Sequence, residues 1–289
     1  MTKSRATAIG FAAVLLWSLL ALFTVGSSPT PPLLLNAICF SIGGTLGLIW
    51  TWRSGGLRQL RDVPWTTYLF GTVGLFGYHA LYFSALRMAP AAEAGLIAYL
   101  WPLLIVLFSG LLPGEHLRIG HLFGACLGFA GAAVIIAGGG STGFQTDHHL
   151  PGYALALLCA LTWSGYSVLS RRLGDTPTSS VAVFCIATAI ASGVLHLVVE
   201  DTVWPDSAFS WASVIALGLG PVGLAFYVWD IGVKQGDIQL LGTASYAAPL
   251  LSTLALVVAG IAAPSWGLAI AALLITGGAA IAARASMKT

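Results

Sequence analysis

The stretch GLIAYLWPLL at residues 95–104 returns at residues 242–251 as GTASYAAPLL, with Gly, Tyr, Pro, Leu and Leu in the same places and an offset of 147. The offset holds to within one residue elsewhere. Trp17-Ser18 answers Trp163-Ser164, Cys39 answers Cys185, Gly47 answers Gly193, and Gly131-Ala132-Ala133 answers Gly278-Ala279-Ala280. The chain therefore reads as two copies of one unit.

Composition identifies the solvent. Of 289 residues, 57% are hydrophobic and 8% are charged, against about 25% charged in a soluble domain. Apolar runs, each long enough to cross about 30 Å of hydrocarbon as a helix, follow one another. Ten are read, at 8–26, 33–52, 66–86, 92–112, 119–138, 152–171, 180–199, 211–231, 239–259 and 266–285. Contiguous runs of this length predict helices rather than barrel strands. The expected fold class is an all-α membrane protein, with ten transmembrane helices in two inverted five-helix repeats. An odd number of spans per copy turns the second copy over. The first repeat covers 1–140, a linker covers 141–151, and the second repeat covers 152–289, with Gly138-Gly139-Gly140 as a flexible end to the first. Inverted repeats of this sort mark secondary transporters, with the substrate site near midplane between the halves.

Basic residues set the orientation. With the N-terminus inside, Lys3, Arg5, Arg53, Arg58, Arg61, Arg118, Arg171, Arg172, Lys234, Arg284 and Lys288 face the cytoplasm, and only Arg87 faces out. Both termini are therefore expected to be cytoplasmic. The net charge of +2 reflects this topology and gives no reason to expect nucleic acid. Lys3 and Arg5 before an apolar run imitate a signal peptide, but the run matches the sixth span through its Trp-Ser, so it is read as a retained first helix. Cys39, Cys126, Cys159 and Cys185 all fall inside spans, without metal-ligand spacing. They read as small packing residues.

Two populations of aromatic residues are present. Trp50, Trp52, Trp65, Trp204, Trp211 and Trp266 lie at or near span ends and suit the interfacial belt. Trp17, Tyr78, Tyr82, Tyr99, Trp101, Trp163 and Tyr166 lie nearer mid-span. Lipid offers their N–H and O–H groups no partner there, so they should face protein or a wet cavity. His79 adds an ionisable group beside Tyr78, a functional candidate at that depth. Tyr246 is the repeat partner of Tyr99. The candidate substrate-binding set is Trp17, Tyr78, His79, Tyr82, Tyr99, Trp101, Trp163 and Tyr246. Tyr99 and Trp101 are two apart and point about 200° from each other on a regular helix. Both reach one cavity only if the span is distorted or is wrapped on two sides.

Pro102 and Pro249 are paired breakers in mid-span, each three residues after a Tyr. They are the candidate hinges, because interrupted helices in matching places point to a transporter site. Glu93 opens the fourth span, where it would guard an outer gate or simply favour a helix N-terminus. His196 reads as interfacial, as does the pair Asp230 and Lys234. His148 and His149 alone make a weak metal signal. Gly120, Gly124 and Gly128 form a small-residue ridge that would serve helix packing or a homodimer equally. HExxH and Walker A motifs are absent, and the strings that match GxSxG (139–143) and GxGxxG (138–143 and 218–223) follow no predicted strand, so they make no nucleophile elbow or dinucleotide fingerprint. No enzyme activity, catalytic residue, metal or cofactor is expected, and the driving force would be a gradient.

These features resemble a known family. The two inverted five-helix units, the Trp-Ser of the first span and APAAEAGLIAYLWPLL at 89–104 look like the EamA-like drug/metabolite transporter superfamily. The mid-span Tyr and Trp set looks most like its bacterial aromatic amino-acid exporter branch. The resemblance covers the whole chain. It implies a ten-helix bundle around a central cavity in the bacterial inner membrane, with the lipid bilayer and a small-molecule substrate as partners. The implied activity is export of Phe, Tyr, Trp and other amino acids by alternating access. Two alternatives stay open: a multidrug exporter of aromatic cations, which should depend on Glu93 or another buried acid, and a non-transporting membrane scaffold or sensor.

Overall fold

The structure, a computed structural model, describes residues 1–137, 146–173, 175–260 and 265–287. Gly138-Gly139-Gly140, the part of the expected linker at 141–145, and Lys288 lie outside the described residues, as do the side chains of Arg87 and His148. Every regular element among the described residues is helical.

In chain order the α-helices are α1 (Lys3–Trp17), α2 (Leu20–Gly26), α3 (Pro32–Arg53), α4 (Leu57–Arg61), α5 (Trp65–Met88), α6 (Ala91–Ala98), α7 (Trp101–Ser109) and α8 (Ile119–Ala137). They continue as α9 (Thr146–Arg172), α10 (Ser180–Val199), α11 (Ala208–Leu219), α12 (Ala225–Gln235), α13 (Ile238–Ala244), α14 (Ala247–Val258) and α15 (Trp266–Ser286). A π-helical turn, Gly220–Leu224, joins α11 to α12. Eight helical segments are long and apolar enough to cross a membrane, and two shorter apolar segments cover Glu93–Ser109 and Ile119–Val134.

Three of the expected helices are broken. The run at 8–26, read as one helix, stops at Trp17 and restarts at Leu20. There the Ser18 hydroxyl donates to the Leu15 carbonyl at 2.6 Å, a local bond of the kind that bends helices. The run at 92–112 breaks between α6 and α7, and the run at 239–259 breaks between α13 and α14. Both proline-bearing breaks fall at the repeated Tyr: Tyr99 follows α6 directly and Tyr246 directly precedes α14. Pro102 and Pro249 then sit in the first turns of α7 and α14. A proline is tolerated there, because the first N–H groups of a helix have no intrahelical acceptor.

Helices pack in pairs that join the two halves of the sequence. α8 runs along α15, α3 along α10, α5 along α9 and α1 along α12, while α7 meets α13. Small residues permit the close approach. A Cβ on Gly124 would stand 2.5 Å from the Gly278 carbonyl oxygen, and one on Gly278 would stand 2.4 Å from the Gly124 oxygen. The ridge of Gly120, Gly124 and Gly128 is thus occupied within the chain, by α15 and Tyr246, and is not a free face for a second copy.

Two polar groups near helix ends are buried. Asp230 and Lys234, near the end of α12, pair at 2.9 Å with side chains only 2% and 5% exposed, so protein covers the pair. Thr178 donates to Asp230, and Lys234 donates to the Thr176 carbonyl. The buried charges are thereby paired and hydrogen-bonded, as burial demands. His196 is also buried, between Glu200 and Thr202 at 2.9 Å each. Glu200 in turn accepts the Leu33 and Leu34 N–H groups at the start of α3, satisfying two otherwise unpaired donors.

Gly278→Leu should lower thermal stability by about 1–3 kcal/mol, the usual cost of overpacking. Gly277→Ala, where an added Cβ meets nothing within 4 Å, should not. Melting of the two detergent-solubilised variants checks this.

Candidate functional site

Trp17 ends α1 and becomes the hub of a ring cluster. Its indole lies 5.1 Å from Trp229, 5.8 Å from Trp163, 6.1 Å from Phe226 and 6.2 Å from Trp101, measured between ring centroids. Most of these contacts are edge-to-face, the arrangement that the ring quadrupole favours. Two of the indole N–H groups find acceptors inside the protein. Trp17 Nε1 donates to the Pro221 carbonyl at 3.1 Å, and Trp229 Nε1 donates to Ser167 Oγ at 3.1 Å. The first acceptor belongs to the π-helical turn, where the regular bonding pattern is interrupted.

The cluster continues onto α5 and α9. Trp163 meets Tyr166 at 5.3 Å and Tyr78 at 5.4 Å. Tyr78 and Tyr82, four apart on α5, stack with ring planes 2° from parallel at 6.1 Å. His79 stands edge-on to Phe40 at 5.2 Å, and its Nδ1 lies 2.7 Å from the Leu75 carbonyl oxygen. That contact needs the proton on Nδ1, leaving Nε2 for any outside partner.

Tyr99 and Trp101 both belong to the cluster, with ring centroids 6.4 Å apart. On an unbroken helix they would face opposite sides. The break between α6 and α7 brings the two rings together. Trp17, Tyr78, His79, Tyr82 and Tyr99 keep accessible surface, although protein surrounds the last four closely. Trp101 and Trp163 are buried behind them.

Tyr246 makes no ring contact with Trp17, Tyr78, Trp101 or Trp163 among the described residues. It is fully buried among Ala132, Leu250, Ala271 and Ile275, and its hydroxyl accepts the Leu103 N–H at 3.1 Å. Leu103 lies in the first turn of α7, where that N–H has no intrahelical acceptor. The hydroxyl of one broken span thus closes the break in the other. Mid-span depth groups Tyr246 with the candidate set; here it is fully buried, and Tyr99 packs against the apolar group to which Tyr246 belongs. Glu93 is also elsewhere, buried beside Ala85, Ala94 and Ala156 with the Tyr153 hydroxyl bonded to its carboxylate.

Phe226 and Trp229 on α12 and Phe40 on α3 complete the cluster, and none of them was singled out from the sequence. The repeat contained a signal for two of them. The offset of 147 carries His79 to Phe226 and Tyr82 to Trp229. Phe40 has no aromatic counterpart at that offset and gave no such signal.

Apolar helices that break at matching places, beside buried rings gathered from several spans, define a membrane transporter rather than an enzyme. The EamA-like transporter family matches this chain twice, over residues 5–137 and 150–284, and the chain belongs to that family. "Aromatic amino acid exporter YddG" of Ancylobacter novellus is 57% identical over 98% of both chains. The protein of the same name from Escherichia coli (strain K12) is 27% identical over 88% of each. A solved crystal structure with 56% identity matches with a TM-score of 0.92, covering 97% of this chain and 98% of that one.

Tyr246→Phe should cost about 1–3 kcal/mol of stability, because it leaves a buried N–H unpaired, while the apparent substrate affinity stays unchanged. Thermal melting and transport measured on the same preparation check both parts. A loss of affinity at unchanged stability would return Tyr246 to the cavity.

Proposed function

We propose that this protein exports aromatic amino acids across a bacterial inner membrane by alternating access. The observation that carries the reading is the cluster of Trp17, Tyr78, His79, Tyr82, Tyr99, Trp101 and Trp163, drawn from four spans, with five of its seven rings only partly buried. Stacked and edge-on rings favour an aromatic side chain, and ring faces attract an ammonium group. A Tyr hydroxyl would meet the carboxylate, as would His79 Nε2 once the bound carboxylate itself stabilises the imidazolium. The names of the relatives at 57% and 27% identity agree with this reading. A cationic-drug exporter would want a free carboxylate among the rings; the buried Glu93 is bonded to Tyr153 in a separate cluster, and the buried Asp230 beside Trp229 is paired with Lys234 and Thr178.

The proposed architecture is ten spans in two inverted repeats, 1–140 and 152–289. In it the shorter segments at Glu93–Ser109 and Ile119–Val134 also cross, and both termini face the cytoplasm. Three observations support it. The family matches each half once. The fourth and ninth spans break at the repeated Tyr. The principal helix pairs also map onto themselves or each other when the halves are exchanged: α3 with α10, α8 with α15, and α5–α9 with α12–α1. Pro102 and Pro249, each just past a break, are the hinges in this scheme.

Purified protein in liposomes should carry radiolabelled phenylalanine and ignore an aromatic cationic dye; dye transport without phenylalanine transport would reject the reading. Trp101→Ala and Trp163→Ala should each weaken apparent affinity roughly 2- to 12-fold, the equivalent of about 0.5–1.5 kcal/mol for a lost ring contact. His79→Ala should cost more if Nε2 meets the carboxylate, because a charge-assisted bond is worth about 1.5–3 kcal/mol. Unchanged transport by His79→Ala would leave packing against Phe40 as its role.

A further inference from the structure

Two neighbouring depressions lie where α5 and α9 reach the same end of the bundle, at the margin of the ring cluster, where Phe70 stacks on Tyr166 at 5.5 Å. The first is an apolar groove of about 280 Å³ lined by Thr66, Thr67, Phe70, Leu169, Arg172 and Leu173. The second is a cleft of about 420 Å³ lined by Gln59, Asp62, Val63, Pro64, Asp175, Thr176 and Pro177. Chain continuity joins them, since Pro64 precedes Thr66 by two residues and Asp175 follows Leu173 by two.

Each depression has its own charge. Arg172 is the only charged residue lining the groove, and Asp62 and Asp175 are the only charged residues lining the cleft. All three are exposed. Neither carboxylate has an ion pair among the described residues. Arg172 gives one bond, at 3.2 Å, to the Leu111 carbonyl, and a guanidinium has five donors in a fork that fits a phosphate. Thr66 adds a hydroxyl at the groove wall.

Depth is fixed by the neighbours. Trp65, 72% exposed, opens α5, and an indole so placed marks the headgroup level. Phe70 lies more than one helical turn further along α5 and Leu169 nearly one turn back along α9, both toward the hydrocarbon. The groove thus runs from the headgroup layer into the acyl layer, and the cleft lies on its aqueous side.

We propose that the groove and cleft together form a binding site for a phospholipid whose headgroup carries a primary ammonium, a phosphatidylethanolamine. The acyl chain lies along Phe70 and Leu169. The phosphate sits on Arg172 and Thr66. The ammonium reaches the cleft and donates to Asp62 and Asp175. A phosphatidylglycerol fits this pattern less well, since its phosphate is satisfied but its neutral glycerol faces two carboxylates. The trimethylammonium of a phosphatidylcholine has no N–H to donate. The site is independent of what the central cluster transports.

The test is native mass spectrometry of the purified full chain, titrated with phosphatidylethanolamine, phosphatidylcholine and phosphatidylglycerol of matched acyl chains. The ethanolamine lipid should be retained about ten-fold more tightly than the others, the scale of one charge-assisted hydrogen bond. The Asp62→Asn/Asp175→Asn double variant changes only exposed side chains; it should erase that preference while leaving phosphatidylglycerol binding no weaker. Arg172→Gln should weaken all three lipids. Melting temperatures of the variants separate lost binding from lost folding. Equal retention of the three headgroups, or a preference that survives in the double variant with its fold intact, overturns the proposal.

Discussion

A backbone N–H at mid-bilayer has no water to bond with, and an unpaired one costs free energy wherever it is buried. The break between α6 and α7 creates such groups, and the hydroxyl of Tyr246 takes one of them, the N–H of Leu103. Tyr246 itself sits at the break between α13 and α14. One interrupted helix therefore satisfies the other. Were both spans continuous, neither group would need its partner, and Tyr99 and Trp101 would face opposite sides of one helix.

Close packing around this joint follows from glycine. Gly124 and Gly278 approach backbone to backbone, and Gly43 approaches Gly223 in the π-helical turn. Hydrophobic force does not draw helices together in lipid, so such contacts depend on van der Waals fit and polar bonds. The Tyr227 hydroxyl adds one, donating to the Gly43 carbonyl at 3.0 Å. The same π-helical turn provides the carbonyl that holds Trp17, and Trp17 touches four rings of the cluster. The irregular pieces of backbone thus position the aromatic surface; they are not defects around it.

Much of this was legible in the residues. Apolar run length located the helices, and the repeated Tyr-x-x-Pro located both proline-bearing breaks. Mid-span depth selected Trp17, Tyr78, His79, Tyr82, Tyr99, Trp101 and Trp163, and these do meet in space. Other features escaped because they depend on partners. The break at Ser18 needs a serine to turn back on its own helix, which many mid-helix serines do not do. Burial of Asp230 and Lys234 draws on Thr178 and Thr176, more than 50 residues earlier, and burial of His196 on the way Glu200 caps the start of α3, neither of which spacing along one helix reveals. Equal positions in the two halves need not have equal surroundings: Tyr99 keeps accessible surface and Tyr246 has none.

The central claim is that the ring cluster is where an aromatic amino acid sits during transport. The most direct measurement is photo-crosslinking with azido-phenylalanine as the free ligand, mapped by peptide mass spectrometry in reconstituted protein. The account predicts adducts on Trp17, Tyr78, Tyr82 and Tyr99 that excess phenylalanine suppresses. Adducts confined to the lipid-facing surfaces of the helices, or unaffected by phenylalanine, would contradict it.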